Sequence, residues 1–305
     1  MSGFPARVAL VEVGPRDGLQ NEAAPVATAS KIALVDALAA AGHTRIEAGA
    51  FVSPKWVPQM ADAEAVFAGI TRRPGIRYSA LVPNLAGLER AAACGVTDIA
   101  VFASASETFS RRNINKSIQE SLDGYAAVAH AALARGMRVR GYVSTAFGCP
   151  FEGEVDPARV IDVTQALFAM GAEEVAVSDT IGIAHPGQVR ALCARLAGAV
   201  PIDRIALHLH DTRGTALVNV FAALGEGVRV FDCAAGGLGG CPYAPGAAGN
   251  LATEDLLFML DGLDIATGVD RRAVARASRA LEPELGHPLP SRLLRAEAAS
   301  RGRKS

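Results

Sequence analysis

The stretch Arg7-Val8-Ala9-Leu10-Val11-Glu12-Val13-Gly14-Pro15-Arg16-Asp17-Gly18 decides the fold class. Arg7–Val13 is a short apolar run rich in β-branched residues, the pattern of a buried strand. An open doubly wound sheet would follow such a first strand with a Gly-x-Gly-x-x-Gly turn that cradles a dinucleotide. Gly14-Pro15-Arg16-Asp17-Gly18 is not that turn. It sets a proline-restrained arginine and an aspartate at the carboxyl end of the strand, where barrel enzymes build their sites.

Working outward, the same alternation recurs along the chain. Strands are predicted at 7–13, 44–48, 77–82, 98–103, 138–144, 174–178, 204–209 and 229–234. Amphipathic helices are predicted at 30–41, 59–69, 85–94, 117–135, 157–170, 186–196, 215–226 and 253–262. Eight strand–helix units in succession is the count of a closed (β/α)8 TIM barrel. Gly42, Gly95, Gly136 and Gly171 each precede a strand, where a helix ends and a left-handed residue is useful. The segment before Ser117 reads as a polar loop. The expectation is one catalytic domain over 1–305, with the barrel over about 7–262 and one or two covering helices plus a frayed basic tail over about 263–305.

Bulk composition narrows the function classes. Of 305 residues, 50% are hydrophobic and 20% charged, enough for a large core. Thirty basic residues face 31 acidic ones, which argues against a nucleic-acid or membrane-surface binder. Met1–Ala6 carries no basic region followed by an apolar run, and no stretch is long enough to span a bilayer. Cys94, Cys149, Cys193, Cys233 and Cys241 are odd in number and form no Cys-x-x-Cys pair, so a reducing cytoplasm is expected.

The chemistry concentrates at the predicted strand ends. In His208-Leu209-His210 the two imidazoles share one face of a strand, toward the barrel mouth, and Leu207 and Leu209 face the helices. With Asp17 from a neighbouring strand they form a candidate metal site, to which Asn250 can add a carbonyl. The alternative is a pair of hydrogen-bonded interior histidines. That donor set suits Mg2+ or Mn2+, and also Fe(II) or Zn2+. Arg16 is placed to hold a developing oxyanion, or to close a buried ion pair with Glu47 or Asp179; both can hold at once. Glu47 and Asp179 are expected to line the site. The glycine-rich run from Gly236 to Gly246 has no Walker lysine and reads as a lid over the mouth, with Cys241 near its centre as an acid, a nucleophile or a bystander. The four lysines, Lys31, Lys55, Lys116 and Lys304, avoid the strand ends, which weighs against a Schiff-base aldolase and for metal-assisted carbon–carbon chemistry.

These residues resemble a known family. Val13–Glu22, Phe51–Met60, Gly141–Ser144, His208–Thr212, Gly237–Tyr243 and Asn250–Asp255 are similar to the motifs of 3-hydroxy-3-methylglutaryl-CoA lyases, over about residues 8–265. The resemblance implies a (β/α)8 barrel, a Mg2+ or Mn2+ ion, and cleavage of the acyl-CoA into acetyl-CoA and acetoacetate. It implies Asp17, His208, His210 and Asn250 as metal ligands, Arg16 on the enolate, Cys241 on a catalytic lid, and Asp17 as the base. The closing proton donor is His208 or Cys241. Arg16, Gln20, Glu47, Arg111, Arg112 and Thr145 are the expected substrate contacts; Arg111 or Arg112 is expected on the CoA phosphates, the alternative being a solvated surface charge pair. The expected partners are the acyl-CoA and a second copy of the chain in a dimer, with neither nucleic acid nor membrane. Departures stand at Arg213, where the family carries an aromatic, and at Gly49-Ala50, where it carries a small polar pair. Both are expected near the mouth. They make a lyase for a longer 3-hydroxy-3-alkylglutaryl-CoA or citramalyl-CoA the alternative, ahead of a Claisen-condensing synthase; an acyl-CoA binder with a purely structural metal is the reading outside the enzyme class.

Overall fold

The computed structural model describes residues 3–23, 25–241 and 244–301. Eight parallel strands close on themselves in sequence order: β1 (Ala9–Glu12), β2 (Arg45–Ala50), β3 (Arg77–Leu81), β4 (Asp98–Ser104), β5 (Arg138–Ser144), β6 (Glu174–Asp179), β7 (Ile205–Leu209) and β8 (Val230–Cys233). The ring shuts where β1 pairs with β8, Val11 opposite Asp232. Each strand is buried nearly end to end, as a sheet with helices outside and packed side chains inside requires.

Helices cover the outside at Thr28–Ala40, Ala63–Gly69, Leu85–Ala93, Ile118–Leu133, Pro157–Ala169, Pro186–Ala197, Ala216–Gly225 and Thr253–Gly262. Their starts are written in the sequence: Ser117 and Glu120 form a reciprocal capping box, and Asp156 caps the helix that opens with Pro157. Gly42, Gly95, Gly136 and Gly171 take φ of +102°, +69°, +73° and +99°, the left-handed values expected of them.

Three expectations are corrected. The polar loop after β4 contains a helix, Glu107–Ile114, started by the Ser106 hydroxyl accepting from Phe109 N. Of its side chains only Phe109 and Ser110 are buried, with Ile114 packing on the core from a partly buried position, so no apolar periodicity announced it. The C-terminal extension holds three helical segments rather than one or two: Arg271–Arg279, Glu282–Leu285 and Arg292–Arg301. The glycine-rich run is not loop throughout; β9 (Gly240–Cys241) pairs antiparallel with β10 (Ala244–Ala248). The Cys241 side chain, Pro242, Tyr243 and the basic tail 302–305 lie outside the described residues.

The extension is tied into the barrel. Asp270 N donates to Ala41 O at 2.7 Å, and a Cβ on Gly42 would collide with Gly268 O. Gly42→Ala therefore meets both a left-handed backbone and a fixed carbonyl. We expect it to cost more than about 2 kcal/mol in urea unfolding. Gly136→Ala, at φ +73° in open space, should cost only about 1 kcal/mol. Equal losses would mean that the contact with Gly268 is not a structural joint.

Candidate active site

Strand ends bring the polar residues together. After β1 the chain makes a π-type turn over Gly14–Gly18, with Arg16 N and Gly18 N both donating to Val13 O. Such turns recur at functional sites because they aim consecutive side chains one way. Arg16 and Asp17 point into the mouth from it. Arg16 Nε pairs with Glu47 Oε1 of β2, and Arg16 Nη1 pairs with Asp17 Oδ1.

His208 lies on β7 in register with Asp232 of β8, and His210 follows it on the same side. The ligand atoms of Asp17, His208 and His210 lie within 4.8 Å of one another. His208 Nδ1 is 3.2 Å from Asp232 Oδ2, which leaves Nε2 facing Asp17 Oδ2 at 3.8 Å. Asn250 Nδ2 donates to Asp17 Oδ2 at 2.9 Å and to Leu238 O at 3.2 Å, so Asn250 adjoins the trio through its amide nitrogen.

The charges are set for a cation. Burial pushes the Asp17 carboxyl up, but Arg16, His208, His210 and Asn250 together outweigh it and hold it at about 2. Burial, then the charge of His208, pushes His210 down to about 4, so its imidazole is neutral near pH 7 with a lone pair to offer. His210 Nδ1 is buried and has no hydrogen-bond partner among the described residues. A buried orphan nitrogen is costly unless something occupies it. An ionised carboxylate and two imidazoles with such an orphan fit a divalent cation.

Asp232, Arg140 and Tyr142 are parts of the site that sequence reasoning did not assign. Arg140 grips Asp232 with two hydrogen bonds of 2.7 and 3.0 Å. Burial raises the Asp232 carboxyl and Arg140 more than reverses that, so it stays ionised. The Tyr142 hydroxyl donates to Glu47 Oε2 at 2.8 Å. The signal was present: Arg140 and Tyr142, two apart on β5, are buried polar residues on one face.

Other expected residues are placed as follows. Asp179 does not pair with Arg16. Both of its oxygens accept backbone N–H groups, from Ile183 and Ala184, each at 2.9 Å, so it caps the loop after β6. Gly49 does not face the mouth; a bulge after Glu47 turns it outward, toward Phe67 and Ala63. Arg213 clasps Ile181 O and Gly182 O at 2.8 and 3.0 Å. Gln20 Oε1 is buried without a partner among the described residues. Thr145 sits at the end of β5 with φ +58°, strained for a β-branched residue, and its hydroxyl donates to Ser144 O. Arg111 and Arg112 lie on the helix after β4; Arg111 pairs with Glu107 at 2.9 Å and Arg112 stacks on Phe151.

A closed barrel that gathers two imidazoles, a carboxylate and an arginine at its strand ends is a barrel enzyme with a candidate divalent-metal centre. The HMGL-like family pattern matches residues 7–281, and the chain belongs to that family. It is 54% identical over 293 residues, 96% of this chain and 98% of the other, to the Pseudomonas aeruginosa 3-hydroxy-3-isohexenylglutaryl-CoA/hydroxy-methylglutaryl-CoA lyase. It is 48% identical over 296 residues, 97% of this chain and 91% of the other, to the mitochondrial hydroxymethylglutaryl-CoA lyase of Homo sapiens. Among solved structures, an HMG-CoA lyase from Acinetobacter baumannii in complex with coenzyme A and 3-methylmalate superposes with a TM-score of 0.91 at 41% identity, covering 97% of each chain.

Asp232 fixes the His208 ring, so its charge should matter beyond its contacts. Asp232→Asn is expected to weaken Mn2+ binding between about tenfold and a hundredfold, as loss of a carboxylate behind a ligating histidine does. Calorimetric titration of Mn2+ reads this. An unchanged affinity in folded protein would mean that Asp232 does not orient His208.

Proposed function

We propose that the protein is a metal-dependent carbon–carbon lyase that cleaves 3-hydroxy-3-methylglutaryl-CoA into acetyl-CoA and acetoacetate. The observation that carries this reading is the meeting of Arg16 with Asp17, His208 and His210 at the strand ends of an HMGL-like chain. Asp17, His208 and His210 would hold the cation, Mg2+ or Mn2+, with Asn250 beside them. When bound, that ion supplies a Lewis acid that makes the tertiary hydroxyl of the substrate more acidic.

The residues of the chain then divide the work. Asp17 accepts the hydroxyl proton; held at about 2, it is a weak base and depends on an acidified hydroxyl. As the bond between C2 and C3 breaks, its electrons pass to the thioester and C3 becomes the ketone of acetoacetate. Arg16 donates to the enolate oxygen that forms. Glu47 and Tyr142 hold the guanidinium in place for that donation. Protonation of the enolate carbon completes acetyl-CoA. Both nitrogens of His208 are committed, Nδ1 to Asp232 and Nε2 toward the Asp17 site, which favours Cys241 of β9 as that acid.

Gln20 and Thr145 are the proposed contacts to the acyl chain. Arg111 and Arg112 are the proposed contacts to the CoA phosphates, being exposed and on the side where the strands end. The barrel and the extension beyond 263 are taken as one catalytic unit, bound together at Gly42 and Gly268. Cys94, Cys149, Cys193 and Cys233 are free thiols, which supports work in a reducing cytoplasm. No helix among the described residues is long and apolar enough to cross a membrane. Phe258 and Val218 are exposed apolar side chains that a second copy of the chain in a dimer would cover.

Acetoacetate release from 3-hydroxy-3-methylglutaryl-CoA and from longer 3-alkyl analogues, with and without chelator, tests the reading. Turnover of the methyl substrate is expected, lost on chelation and restored by Mg2+ or Mn2+. Arg16→Met should lower kcat at least about a hundredfold with little change in KM, because the guanidinium meets charge that exists only as the bond breaks. Full turnover after chelation, or near-normal kcat in folded Arg16→Met protein, would reject the mechanism.

A further inference from the structure

The C-terminal extension returns to the rim of the mouth after the helix Glu282–Leu285. Ser291 N donates to Gly236 O at 3.0 Å, so this segment lies against the root of the glycine-rich run. His287 makes two polar contacts there. Its Nε2 is 2.8 Å from Glu22 Oε2, and its Nδ1 is 3.1 Å from Pro288 O. A carboxylate and a carbonyl only accept hydrogen bonds. A neutral imidazole carries one N–H, so satisfying both partners requires the doubly protonated ring.

The contact leads inward. Glu22 is buried, and its other oxygen accepts from Gly239 N at 3.2 Å. Gly239, at φ +99°, lies so close to Asn250 and Gly18 that a Cβ would stand 3.0 Å from Asn250 Nδ2 and 3.2 Å from Gly18 Cα. Asn250 Nδ2 in turn donates to Leu238 O and to Asp17 Oδ2. An unbroken line of contacts therefore runs from His287 through Glu22, Gly239, Leu238 and Asn250 to Asp17.

We infer that His287 is a positioning residue, whose imidazolium holds the Glu22 carboxylate and through it presses the root of the glycine-rich segment against Asn250 and Asp17. The residue lies beyond position 281, where the match to the family pattern ends, and the mechanism above gives it no part. Only the effect on turnover rests on the lyase reading; the hold itself does not.

The hold depends on pH with a defined sign. The charged groups facing His287 are Glu22 and Glu282, and the Pro288 carbonyl adds to them. The Glu22 hydrogen bond is the largest cause, and together these raise the His287 pKa above its ordinary value. The charged latch is present below that pKa and is released as pH rises through it.

Hydrogen exchange of the Gly239 amide, corrected for its intrinsic rate, tests the hold across the His287 titration. Steady-state kinetics on 3-hydroxy-3-methylglutaryl-CoA with Mg2+ run in parallel. In the unmodified protein, protection of Gly239 should fall roughly tenfold as His287 deprotonates, the scale of one charge-assisted hydrogen bond. H287A should lack that protection at every pH and lose roughly fivefold in kcat, with KM within about twofold. H287R should keep the protection and lose its pH dependence, because a guanidinium does not titrate in this range. Unchanged protection in H287A, a pH dependence that persists in H287R, or altered exchange with unaltered kcat would each overturn the inference. Absence of turnover in the unmodified protein would overturn the lyase reading instead, and the exchange data would still decide whether His287 holds Gly239.

Discussion

A closed ring of polar side chains inside the barrel sets the constraint on which the site depends. Arg16 pairs with Glu47, Glu47 accepts from Tyr142, and Arg140 donates to Tyr142 and grips Asp232. Asp232 holds His208, His208 faces Asp17, and Asp17 returns to Arg16. Residues from β1's turn, β2, β5, β7 and β8 are thus joined in one circuit. Charges buried this deeply persist only if each has partners, and breaking such a pair by removing one member costs about 3–5 kcal/mol. The ring meets that demand while leaving one side of Asp17, His208 and His210 turned to the mouth.

The circuit also explains the charge states that metal-assisted chemistry needs. Arg140 keeps Asp232 ionised, and Asp232 in turn commits one nitrogen of His208, so the other is the one presented. Arg16 holds Asp17 ionised, and burial keeps His210 neutral. A second layer fastens this machinery to the extension. Glu254 accepts from Gly236 N and the Ser278 hydroxyl, and Asp255 accepts from Ser291, Arg292 and Leu293. Glu12, with both oxygens used, ties Gly14 N, Ala235 N and Thr253 into one joint beneath the Arg16 turn. The C-terminal helices therefore brace the loops of the mouth.

Much of this was legible in the chain because two periodicities carried it. Eight buried runs separated by amphipathic ones match the count of a closed barrel, and alternate residues on β7 put both imidazoles on one face. Asp17 joined them because a strand end is a fixed address in this fold. What stayed hidden depends on contacts between strands distant in sequence. Glu47 and Asp179 looked alike as partners for Arg16, yet only Glu47 reaches it, because backbone N–H groups after β6 claim Asp179. Arg140 and Asp232 are 92 residues apart and meet only through the closed barrel. Gly49 turned outward because a single bulge in β2 shifts every later side chain to the other face.

Anomalous diffraction from crystals equilibrated with saturating Mn2+ tests directly whether Asp17, His208 and His210 hold a cation together. One peak per chain is expected, about 2 Å from an Asp17 carboxylate oxygen, His208 Nε2 and a His210 nitrogen. A fully occupied peak elsewhere in the chain, with these three side chains unliganded, would contradict it.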